Sequence, residues 1–196
     1  MPPEAGLVPV VSTADLADAL RDAVHGPDGS AGFDALVMAA AVADFRPAAG
    51  ARTKLARSDG LTLDLESTPD LLAEVSRIAH GQAGRDGEPA GDPLQPRPIL
   101  VGFAAETGSL DRAAEKLRRK GVDLLVANDV AEPGSGFGTE TNRVSILAAD
   151  GSREDLPLQS KRAVAERLLD RVVRALDERD AAAQTDTRNE PEREPA

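Results

Sequence analysis

Eight apolar residues in succession, Leu36-Val37-Met38-Ala39-Ala40-Ala41-Val42-Ala43, run without a polar break and stop at Asp44-Phe45-Arg46-Pro47. A run without alternation has no face for water, which suits a parallel strand covered on both sides. Pro47 has no N–H to continue a ladder. The strand is therefore expected to deliver Asp44 at its carboxyl end, where open α/β sheets hold ligands. Lys54 lies beyond, across a span long enough to carry its ammonium over a ligand at the strand end. A plain buried strand with a solvated loop accounts for this stretch equally well.

The pattern repeats. Ile99–Glu106 and Leu124–Asp129 are two more apolar runs that end in polar side chains, and helical spacing separates the runs. Thr13–Val24 carries Leu16, Ala19, Leu20 and Val24 at that spacing and ends at Gly26-Pro27-Asp28-Gly29. Val8–Val11 reads as a short strand, and Leu61–Leu65 alternates as a half-exposed one. Ser67-Thr68-Pro69-Asp70 opens a helix through Ile78, with Thr68 as N-cap and Pro69 at N1. Its first turn suits an anion or a ribose, or is simply an ordinary capped start. A third helix runs from about Leu110 to Lys120 and stops at Gly121. Val144–Ala148 follows as a strand entered at Asn142-Arg143. The last helix starts at Ser160 with an apolar stripe of Val164, Leu168, Leu169, Val172, Val173 and Leu176. Strands alternating with helices predict an α/β fold, a Rossmann-like open parallel sheet flanked by helices.

Residues 81–98 are rich in Gly, Pro and charge and are expected to form a surface linker without fixed structure. The domain is placed at 5–179, with 180–196 as a disordered charged tail.

With no cysteine in the chain, disulfides, thiolate nucleophiles and zinc–thiolate sites are excluded. The two histidines, His25 and His80, both sit at expected helix ends. Acid, base or electrostatic work therefore falls to Lys, Arg, Asp or Glu. A net charge of −11 argues against a polyanionic partner such as nucleic acid, though local basic clusters still suit a small anion. No run approaches the about eighteen apolar residues of a membrane span, and the amino end lacks a signal-peptide pattern, so no membrane association and a cytoplasmic location are expected. Lys116 and Lys120 lie one helical turn apart on one face, either around an anion or as a solvated basic face. The Gly134–Thr139 loop lacks the strand–loop–helix setting of a phosphate loop and is given no phosphate role.

Taken together, MAAAVADFRP with Lys54, TPDLL, VGFAAET, the Lys116/Lys120 pair, VANDV, GFGTETNRV and SKRAVAERLLD resemble phosphopantothenate–cysteine ligase over about residues 8–178. That family is the synthetase half of a bifunctional coenzyme A biosynthesis flavoprotein. The resemblance implies CTP as the activating nucleotide and magnesium as its companion, with 4′-phosphopantothenate and L-cysteine as the partners to be joined through an acyl-cytidylate. It implies Lys54 as the lid lysine that stabilises phosphoryl transfer, and Asp44 as a nucleotide-site carboxylate beside the metal. Met38, Ala39 and Ala40 align with strand-end residues lining the nucleotide site. Pro69, Asp70, Leu71 and Leu72 align with the helix start, Phe103 with an aromatic of the pocket, and Lys116 and Lys120 with a nucleotide-contacting lysine pair. The GFGTETN loop and its strand resemble the family's small antiparallel dimer-forming region, implying a homodimer, and a decarboxylase half is a further expected partner.

The match departs at three places. Lys54-Leu55-Ala56-Arg57 stands where the family often has a Lys-Ile-Lys-Lys run, and Thr68 stands where an Asn is common. The family's opening strand, with its Gly-Gly-Thr turn and Ser-Ser-Gly segment, has no counterpart here. The expectation is that another polypeptide supplies those strands or the chain is truncated, and that alone it binds nucleotide weakly and ligates poorly. A noncatalytic nucleotide-binding or dimerisation module is the alternative. A nicotinamide-dependent oxidoreductase is third, and its GxGxxG fingerprint is absent.

Overall fold

The computed structural model describes residues 5–26, 30–49, 62–83, 90–106, 111–132, 134–135 and 138–188, with backbone alone at 111 and 186–188. Its centre is a five-stranded sheet. Three strands, β1 (Ala35–Val37), β4 (Ile99–Glu106) and β5 (Leu124–Asp129), run parallel, and β6 (Thr141–Ala148) and β7 (Arg153–Ser160) continue antiparallel in the order β1-β4-β5-β6-β7. A separate ribbon pairs β2 (Phe45–Pro47) with β3 (Leu65–Ser67). Strand β7 was not foreseen, because Arg153–Ser160 carries charge and Pro157 where strands usually carry apolar residues.

Side chains of β4, β5 and β6 alternate between two cores, as the pleat requires. Leu100, Ala104, Leu125, Ala127 and Leu147 face α1 (Thr13–Val24), α2 (Leu71–Ala79) and α3 (Asp111–Lys120), which supply Leu20, Val24, Leu72, Val75 and Leu117. Ile99, Val101, Leu124, Val126, Val144 and Ile146 face α4 (Lys161–Arg188), which supplies Val164, Leu168 and Val172. The result is a Rossmann-like three-layer sandwich. Leu169 and Val173 of the expected stripe are exposed, since one helix face can bury only one row against a sheet. Ser160 caps α4 through its hydroxyl, which accepts the Ala163 N–H at 3.1 Å. The helix continues to Arg188, past the point where a disordered tail was expected.

The apolar run Leu36–Ala43 is not the long, doubly covered strand expected. Only Ala35–Val37 is strand, because β1 is an edge strand among the described residues, with β4 as its neighbour. Met38 still donates its N–H to Val101 O at 3.0 Å, but the Ala39 N–H turns back to Val37 O at 3.1 Å and leaves the sheet. Alanine side chains bury too little to hold a longer ladder. Val8–Val11 likewise forms no strand. The N–H groups of Val11 and Ser12 are donated to the Asp15 carboxylate at 3.1 and 2.8 Å, in a capping box that starts α1.

Two further corrections concern local elements. Of the expected strand Leu61–Leu65, Leu61 lies outside the described residues and 62–64 are not strand; the strand is Leu65–Ser67, and Pro47 is accommodated opposite Leu65 because a two-stranded ribbon has free edges. Within 81–98, residues 84–89 lie outside the described residues, but Leu94 and Pro98 are buried and Arg97 forks onto Asp123 at 2.6 and 3.1 Å. That half of the expected linker is therefore packed structure. His25 and His80 stand at the C-caps of α1 and α2 as expected.

Candidate functional site

The carboxyl ends of β1 and β4 open into a cleft of about 430 Å³. One wall is the irregular stretch Met38–Asp44, a second is the start of α2 at Thr68–Leu72, and a third is α3 with Lys116, Arg119 and Lys120. Phe103, Ala104 and Ala105 of β4 form the floor. Of the residues singled out from sequence, Met38, Ala40, Asp44, Pro69, Asp70, Leu71, Leu72, Phe103, Lys116 and Lys120 all line this one cleft. Ala39 does not line it. Lys54 lies outside the described residues.

Why do these segments converge? The parallel pairing of β1 with β4 puts the end of each strand on the same side of the sheet, so the chain leaving β1 crosses the end of β4. The two rims are then tied together. Thr68 receives nothing from α2. Its N–H goes to Asp44 O at 2.9 Å and its hydroxyl donates to Ala43 O. The N-cap of α2 is accordingly Asp70, whose carboxylate accepts the Ala73 N–H at 3.2 Å, and not Thr68 as expected. Pro69 thus precedes the helix and is not its first residue.

The two lysines face different carboxylates of the chain. Lys120 Nζ donates to both oxygens of Asp70 at 2.7 Å, and Lys116 Nζ lies 2.6 Å from Glu106 Oε1. The second contact is outside hydrogen-bonding angles, so it is a charge contact against a glutamate only 6% exposed. Each ammonium is held at the cleft by a carboxylate from another element. Burial pushes the Asp70 carboxyl up, but the Lys120 hydrogen bond and charge, the Ala73 N–H and the charge of Arg119 outweigh it. The group sits below the usual carboxylate range.

Phe103 is 44% exposed and presents an aromatic surface to the cleft. Arg119 and Thr68 are the polar cleft residues that were not placed at a site from sequence, and Ala41, Val42, Ala43, Ala104 and Ala105 are apolar ones. Arg119 sat within the same basic run, RRK, that supplied Lys120, and the spacing argument took only the residues one turn apart. A divalent ion travelling on a triphosphate takes one or two protein carboxylates and keeps the rest of its shell. Asp44 fits that demand as an exposed carboxylate on the cleft wall, whereas Asp70 is committed to Lys120. Among the described residues no group of three or more metal-ligating side chains occurs.

Fold and cleft together define a Rossmann-like α/β protein whose candidate site lies where the parallel strands end. Residues 1–176 match the family described as DNA/pantothenate metabolism flavoprotein C-terminal domain, and the chain belongs to that family. It is 38% identical over 171 residues to the coenzyme A biosynthesis bifunctional protein CoaBC of Bacillus subtilis (strain 168), covering 86% of this chain and 37% of that protein. It is 43% identical over 175 residues to CoaBC of Mycobacterium tuberculosis (strain ATCC 25618 / H37Rv), covering 85% of this chain and 38% of that protein. The chain thus spans well under half the length of these relatives. The crystal structure of the C-terminal domain of a CoaBC protein superimposes with a TM-score of 0.60 at 27% identity, covering 87% of this chain and 66% of that one. Among the described residues no helix is long and apolar enough to cross a membrane.

Proposed function

We propose that this chain serves coenzyme A biosynthesis in the cytoplasm as a CTP-dependent ligase that joins 4′-phosphopantothenate to L-cysteine. The observation that carries this reading is the single cleft that gathers small residues, a helix start, an aromatic floor and three cations from separated parts of the chain. In the reaction proposed, a carboxylate oxygen of phosphopantothenate attacks the α-phosphorus of CTP, and the bond to pyrophosphate breaks. The cysteine amine then attacks the acyl carbon, its proton goes to solvent, and CMP leaves with the electrons of the acyl–oxygen bond.

What the cleft's residues do follows from charge. Ligand and transition state are polyanionic, and Lys116 and Lys120, held by buried or half-buried carboxylates, offer fixed positive charge without reorganisation at the moment of reaction. Ala40 and its small neighbours let a ligand approach backbone, and Phe103 offers a stacking surface. Magnesium, when bound, would neutralise phosphate charge beside Asp44. Lys54 keeps its lid role in this reading by resemblance. The region around β6 is the proposed homodimer contact, and a decarboxylase half is the proposed partner.

Calorimetric titration of the chain with CTP and magnesium tests the reading, followed by measurement of pyrophosphate release with 4′-phosphopantothenate. Measurable CTP binding that Lys120→Ala weakens is expected, and no CTP binding at all overturns it. Lys120→Ala and Lys54→Ala separate the ligase from a noncatalytic module, since only the ligase loses pyrophosphate release with Lys54→Ala.

A further inference from the structure

The cations of the cleft are not equivalent. Lys116 faces Glu106 and Lys120 faces Asp70, so two of the three carry a carboxylate already. Arg119, on the same wall, is exposed and makes no hydrogen bond and no ion pair within 4 Å among the described residues, and only its charge reaches Asp70. Its neighbour Arg118 points to a different cavity, between α3 and the turn joining β6 to β7. Both arginines stand in the last turn of α3 and meet the same helix dipole, so the dipole explains neither the difference in direction nor the cleft position.

A guanidinium presents a planar fork of donors that matches phosphate oxygens two at a time, and an unpaired one in a cleft has that fork free. Resting on the function proposed above, we infer that Arg119 is a ligand-binding residue that takes a phosphate group of the bound substrate, while Lys116 and Lys120 supply the field around it. The division is physical: a lysine held by a carboxylate contributes charge, and a free guanidinium contributes directed hydrogen bonds.

The phosphate has two sources, the tail of the nucleotide or the monoester of phosphopantothenate, and separate titrations distinguish them. The full chain, Arg119→Ala, Arg119→Lys and Arg118→Ala are each titrated with CTP, with tripolyphosphate and with 4′-phosphopantothenate. Arg119→Ala is expected to weaken binding about tenfold or more on at least one arm, in line with loss of a charge-assisted hydrogen bond. Arg119→Lys is expected to recover part of it, and Arg118→Ala to change binding less than about twofold, as a screened surface charge does. Loss with CTP and tripolyphosphate assigns the nucleotide tail, and loss with phosphopantothenate alone assigns the monoester. Unchanged binding by Arg119→Ala, or equal losses for Arg118→Ala, overturns the inference while leaving the function standing. If the unaltered chain binds none of the three, the function falls first and this inference with it. Thermal unfolding of each variant checks the fold, and because the exposed Arg119 acts on Asp70 through screened charge alone, only a small shift is expected.

Discussion

The two ends of strand β4 carry the same kind of chemistry to different purposes. At the amino end, Asp123 takes both forks of Arg97 and also the Leu100 N–H at 2.7 Å, so its acceptors are committed and the pair is a clamp. At the carboxyl end, the pairs are lysine–carboxylate contacts on the wall of an open cleft, one of them out of hydrogen-bonding alignment, and Arg119 beside them makes no hydrogen bond or close ion pair among the described residues. A saturated network stabilises, and an unsaturated one keeps capacity for a ligand. Damage to the first end should cost fold, and damage to the second should cost binding.

Asp123→Ala strikes the saturated end and carries the largest expected effect. It strands the Arg97 guanidinium and the Leu100 N–H together, and should cost about 3 kcal/mol in urea unfolding. CTP affinity extrapolated to full folding should stay as it was. A larger change in affinity than in stability would break the contrast.

Lys120→Ala strikes the other end. Stability should fall by no more than about 1 kcal/mol, because the pair is partly wet, while CTP binding weakens about tenfold. Calorimetry and urea unfolding on the same samples read both quantities.

Asp70 sharpens the comparison through pH. Its folded-state carboxyl lies below its ordinary value, so the stability it contributes is present above the usual carboxylate range and is lost as pH falls through the folded value. Asn caps a helix as well as Asp does, so Asp70→Asn removes the charge and keeps the cap. The midpoint of thermal unfolding for the unaltered chain should approach that of Asp70→Asn as pH falls below the usual carboxylate range. Parallel curves at every pH would show that the Lys120 pair contributes nothing.

The smallest effect belongs to the rim. Thr68→Val removes the hydroxyl that donates to Ala43 O and keeps the N–H that reaches Asp44 O, so unfolding should show a loss of about 1 kcal/mol. Hydrogen exchange at Asp44 and its neighbours should speed up before any global change.

Much of this could be read in one dimension. Ile99–Glu106, Leu124–Asp129, Thr13–Val24 and the start of α4 at Ser160 were legible because a long period or a strong cap marks each of them. The convergence of Met38, Asp70, Phe103 and Lys120 was approached through resemblance, since nothing local tells a strand end that it will meet a helix start. Arg119 and Thr68 were missed for related reasons. A basic residue next to a chosen lysine looks like solvated charge, and Thr68 looks like the cap it is not.

What the chain's order of residues settled by itself is the alternation of apolar runs with helical spacing, and so the α/β class, because burial patterns are local and periodic. What only the folded molecule decided is which ends are clamped and which are open. The length of β1, the change of N-cap to Asp70 and the partner of each cation depend on neighbours far away in sequence. Hydrogen bonds and ion pairs are won by whichever group arrives within about 3 Å in the proper direction, and the folding of the sheet alone sets that meeting.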